Sequence, residues 1–126
     1  MEKVDLGYAT LEKRDGIIWL VLKEDAELDV KEVKEFTDVC AKLSNNKPYF
    51  LVSDARVNLS ITSDGRHAAA SKEISPLLLA NAVLVNNVAV RMVANFFTAV
   101  NRPHFKYKVF NNEKEALAWL KKQINA

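Results

Sequence analysis

The residues best placed to do chemistry gather in one stretch, 54–65, which reads Asp-Ala-Arg-Val-Asn-Leu-Ser-Ile-Thr-Ser-Asp-Gly and is followed by Arg66. It supplies carboxylates at Asp54 and Asp64 and hydroxyls at Thr62 and Ser63. Such residues cap helices or fill polar loops as readily as they bind ligands. Asp64 and His67 share a helix face, but a metal site takes three or four ligands and His104 lies far off in sequence, so no metal is expected. Cys40 falls at a core-facing helical position and reads as a small buried hydrophobe, not a nucleophile. There is no glycine-rich phosphate loop and no nucleophile elbow. Glu24 and Asp25 read as loop charges, Trp19 and Trp119 as core. The expectation is a protein without catalytic residues or cofactors.

Composition sets the frame for these residues. The chain has 126 residues, 49% of them hydrophobic, enough for one domain over 1–126 with a core that needs no disulfide. With 18 basic and 16 acidic residues well mixed and a net charge of +2, it lacks the basic stripe of a nucleic-acid binder. The single cysteine fits a reducing compartment. The first 16 residues show no signal-peptide pattern, and the apolar run 77–85, broken by Asn81, is far shorter than the roughly 20 residues of a membrane span. A cytoplasmic location without membrane insertion is expected.

The elements that must position the candidates follow from periodicity. Residues 8–14 alternate, Asp15–Gly16 marks a two-residue hairpin turn, and 17–22, Ile-Ile-Trp-Leu-Val-Leu, reads as a strand buried on both faces. Asp29 with Glu32 makes a capping box, stapled by Leu28 and Val33, and opens a helix that ends at Asn45–Asn46 and Pro48. Strands are expected at 49–53, 82–85 and 107–110, and helices at 64–74, capped by Asp64, and at 88–100. Asn112 with Glu115 opens a last helix that buries Leu117, Leu120 and Ile124. The order β-β-α-β-α-β-α-β-α predicts an α/β fold: a mixed five-stranded sheet with right-handed crossovers and helices on both faces. Ligands of such sheets bind beyond the carboxyl ends of the strands, here Lys23–Glu24, Ser53–Asp54, Asn86–Asn87 and Asn111–Asn112.

On these residues the chain resembles the STAS family (sulfate-transporter and anti-sigma-antagonist domains). Asp54 falls on the family's leading Asp. Ile61, Thr62, Ser63, Asp64 and Gly65 fall on its apolar-Asp-Ser-Ser/Thr-Gly segment. The position of the family's phosphorylated hydroxyl is Asp64, which takes no stable phosphate from a serine kinase; Ser63 is the neighbouring hydroxyl. The second half is similar to SpoIIAA-like, STAS/SEC14-type bacterial proteins of unassigned function. Asn95, Phe96, Phe97, Asn101, Arg102, Pro103, Phe110, Glu115, Ala116, Trp119 and Leu120 carry that likeness. The resemblance implies a SpoIIAA-like fold and a non-catalytic interaction or regulatory module resembling anti-sigma-factor antagonists. The usual phospho-switch is not expected. Partner-binding or switch candidates are Asp54, Ser63, Asp64, Gly65 and Arg66.

The helix expected at 88–100 carries an apolar arc of roughly 200°, wider than the ~100° that packing on one core demands. Val88, Met92, Phe96 and Ala99 on that arc could pack within the domain, or form a homodimer face or an apolar pocket. Arg91, Asn95 and Arg102 line the other side. The partner is thus an unknown protein or a second copy. The SEC14-like side of the resemblance implies an alternative, a carrier of a small apolar ligand or lipid, with Leu77–Leu79, Phe96 and Phe97 lining the pocket.

Overall fold

A computed structural model describes residues 2–86 and 102–126. Its elements in chain order are β1 (Lys3–Asp5), β2 (Ala9–Arg14), β3 (Ile17–Leu22), β4 (Ala26–Leu28), α1 (Val30–Leu43), β5 (Tyr49–Asp54), β6 (Leu59–Ile61), α2 (Ser63–Ala70), β7 (Leu78–Leu84), β8 (Lys106–Phe110) and α3 (Glu113–Ile124). Six strands form the main sheet in the order β1-β2-β3-β5-β7-β8. β2 runs antiparallel to its neighbours β1 and β3, and β3, β5, β7 and β8 are parallel. β4 and β6 make a separate parallel pair. The mixed α/β sheet is as expected, but its strand count is not five. β1, β4 and β6 have only three residues each, too few to show a period. The helix expected at 88–100 lies outside the described residues.

Local chemistry explains most boundaries. Asp15 and Gly16 both take positive φ, 50° and 80°, in the β2–β3 turn, as a tight hairpin requires. Asp29 accepts from the first turn of α1 while Glu32 reaches back to the Asp29 N–H at 2.9 Å, completing the box. The helix stops where Asn45 and Asn46 turn left-handed. In α3, Asn112 Oδ1 accepts from the Glu115 N–H at 3.1 Å.

The sheet separates two apolar layers. On one face Ile18, Leu20, Leu22, Leu51 and Val83 pack with Cys40, Phe36 and Leu43 of α1. On the other, Ile17, Trp19, Val52, Ala80, Ala82 and Leu84 pack with Ala116 and Leu120 of α3. The alanines of β7 leave room for the helix to approach. Leu120 is fully buried, a burial that contributes about 2 kcal/mol. Leu117 is half-buried on the same layer, whereas Ile124, expected in the core, is 42% exposed in the last turn of α3.

β7 begins four residues earlier than its sequence suggests and contains a bulge. Tyr49 faces Leu78 and Phe50 faces Ala80, so Leu79 is the extra, unpaired residue and stands 45% exposed.

Candidate functional site

Two helix N-termini meet beyond the sheet. β4 leads into α1 and β6 leads into α2, and their pairing brings the two starts together. The Thr62 N–H donates to the Leu28 carbonyl at 2.9 Å, and the Thr62 hydroxyl donates to Asp29 Oδ1 at 2.7 Å. The cap of α2 therefore bonds the cap of α1. Donation from Thr62, and next from the Val30 N–H, holds the Asp29 carboxyl below its ordinary range.

The N-cap of α2 is Thr62, not the expected Asp64: its Oγ1 accepts from the Gly65 N–H at 2.9 Å. The ladder from β4 continues to residue 62 and fixes the choice. Ser63 and Asp64 occupy the first two helical positions and are exposed. No described residue hydrogen-bonds either side chain. Gly65 is buried where α2 crosses β4: a Cβ there would sit 3.2 Å from the Leu28 carbonyl oxygen. α2 ends at Ala70, with Ser71 extended and a turn at 72–74, earlier than the expected 74.

Asp54 does not join this group. Alternation along β5 turns Leu51 and Ser53 toward α1 and α2, and Phe50, Val52 and Asp54 toward α3. There Arg56 grips Asp54 in a fork, Nε to Oδ1 at 2.9 Å and Nη2 to Oδ2 at 2.7 Å. Glu113 at the start of α3 acts on Arg56 in turn. Burial pushes the Asp54 carboxyl up, but the Arg56 hydrogen bonds outweigh it and hold the carboxyl below its ordinary value. Asp54 is a paired structural carboxylate on the far side of the sheet from Ser63.

A cavity of about 150 Å³ lies between α2 and the sheet. Leu22, Leu28, Leu59, Ile61, Val83 and Val85 give it apolar walls, and Arg66, Ser53, Asn81 and Tyr107 its polar ones. A smaller space of about 60 Å³ adjoins it, sharing Phe36, Ser53, Ala69 and Asn81. The Ser53 hydroxyl donates to Asn81 Oδ1 at 2.9 Å between the two.

Elsewhere, burial pushes the Cys40 thiol up to about 12, as befits an unreactive core residue. His104 Nε2 meets the buried Ser75 hydroxyl at 3.2 Å, and burial lowers the pKa of the ring. Among the described residues no group of His, Cys, Asp and Glu could hold a metal ion, and no helix is long and apolar enough to cross a membrane. Of the residues proposed for an interface or pocket, Val88, Arg91, Met92, Asn95, Phe96 and Ala99 lie outside the described residues. Arg102 is described: it is exposed, with φ 48°.

A family model for a domain of unknown function, DUF7793, matches residues 11–124. The chain belongs to the DUF7793 family. An uncharacterised DUF3478 protein from Shewanella loihica PV-4, solved with a SpoIIAA-like fold, superposes with a TM-score of 0.61. The alignment covers 89% of this DUF7793 chain and 91% of the other at 13% identity, which shows a shared SpoIIAA-like fold. No curated protein matches. In the DUF7793 chain the polar group that sequence reasoning did not nominate is Asn81, the partner of Ser53 at the carboxyl end of β5. Asn81 had left a signal, as the one polar residue inside an apolar strand.

Proposed function

We propose that this DUF7793 domain is a non-catalytic interaction module that docks a regulatory protein partner on the joined N-terminal edge of α1 and α2. The observation that carries the reading is the Thr62–Asp29 bond, which locks two helix starts side by side and leaves Ser63 and Asp64 outward and unbonded. Rigid edges of this kind lose little entropy on docking. Glu27 on β4, Asp29 and Asp64 are exposed there against the single exposed Lys31, so the edge is net acidic and suits a partner with a basic patch. The acceptor position of the STAS switch is a carboxylate, Asp64, so the module works without that phosphorylation. The reading includes a cytoplasmic location, supported by the single buried thiol of Cys40.

Affinity capture compares the wild type with Asp64→Arg and Ser63→Arg. Partners that use the edge are lost from both variants and weaken with added salt. If every partner of the wild type stays bound to the folded variants, the edge is not the docking surface. Native mass spectrometry in parallel shows whether the partner is a second copy.

A further inference from the structure

We propose that the cavity beneath α2 binds a small monocarboxylate whose body is a single ring or a short branched chain. The site goes beyond the docking edge, since it concerns the space under α2 and not its exposed end. Its volume of about 150 Å³ suits a small occupant. An engineered apolar cavity of about that volume takes up one benzene, while pockets for drug-sized ligands begin near 300 Å³. A ring-sized body matches this space.

The charge of the occupant follows from Arg66. Its half-buried side chain lines the cavity beside the apolar walls, and among the described residues it has no ion pair and donates no hydrogen bond. A guanidinium at the edge of an apolar space, with no described carboxylate to neutralise it, is matched best by an anion brought into that space. Its planar fork matches a carboxylate, which it can bind through two parallel hydrogen bonds.

A second donor stands on the floor. Asn81 spends its carbonyl on Ser53, and no bond from its amide nitrogen to any described residue offsets the two remaining protons. No buried polar side-chain atom lacks a partner among the described residues, so that nitrogen has open space beside it. Asn81 lines both parts of the cavity, so its unspent amide borders that space. Even if the amide is turned over, one of its two polar ends faces the cavity.

The test uses the full chain and three probes: benzoate, cyclohexanecarboxylate and, as a neutral control, benzyl alcohol. Amide chemical shifts are followed by NMR and affinities measured by calorimetry. Both carboxylates are expected to bind saturably, shifting the amides of Ser53, Ala69 and Asn81, with the alcohol weaker by about tenfold. Arg66→Gln should weaken benzoate by about tenfold and leave the alcohol unchanged. Ala69→Leu should fill the cavity and abolish binding of all three. The proposal is overturned if no probe shifts those amides saturably, or if Arg66→Gln binds benzoate as tightly as the wild type. It is equally overturned if folded Ala69→Leu still binds benzoate.

Discussion

A methyl group on Gly65 would meet Ile61 Cγ1 and Thr62 Oγ1 at 3.1 Å and the Leu28 carbonyl oxygen at 3.2 Å. The backbone oxygen cannot give way without disturbing the β4–β6 pair. Gly65→Ala should therefore lower stability by about 1–3 kcal/mol, read as a lower denaturation midpoint in urea. Asp54 makes a pH-dependent contribution. Its carboxyl titrates below the ordinary 3.8 in the fold, so the stabilisation is complete above that value and is lost as pH falls through the folded value. The pair is partly solvated, so Asp54→Asn should cost only about 1 kcal/mol at neutral pH and flatten the acid limb of the stability curve. Cys40, 1% exposed and with its thiol pushed up to about 12, should resist alkylation at pH 8 in the native protein and react fully once unfolded. Alkylation of the folded chain at the rate of a free thiol would contradict this burial.

Among the elements, α1 was legible in full because its signals are local: a cap, a reciprocal glutamate, a staple and two asparagines at the end. The start of α2 was not, since Thr62 and Asp64 are both cap types and the choice rests on a bond to Leu28, more than thirty residues upstream. β4 and β6 escaped notice for the same reason: each has a single partner, the other, and three residues carry no period. The cap-to-cap bond makes a test at this scale. Thr62→Ala should cost about 1 kcal/mol through the lost α2 cap. Combined with Asp29→Ala it should cost less than the sum of the single changes, because either one already breaks the shared bond. Additive losses in urea melts would show that the two helix starts are energetically separate.

For the whole molecule, the expectation of helices on both faces held because strands such as Ile17–Leu22 are apolar on both sides. Leu120→Ala, on the α3 layer, should lower stability by about 2–5 kcal/mol, measured by thermal or chemical unfolding, since the cavity it leaves is walled by the sheet. The candidate site was less legible. Which face Ser53 and Asn81 take depends on strand phase, and no reading of residues 77–85 alone shows that Leu79 is set out of register. Asp54 parts from Ser63 in the same way, one residue of phase away from the face that carries it.

That one residue also says how this strand tolerates changes of length. Leu78 and Ala80 already face opposite layers, as direct neighbours in a regular strand would. Removing Leu79 would therefore join them without moving any side chain of β7 to the wrong face. Removing Asn81 instead would set Ala80 beside Ala82 and invert everything on one side of the cut. Chains of this fold that are one residue shorter before the middle of β7 can thus keep both layers intact, and an alignment gap belongs at position 79.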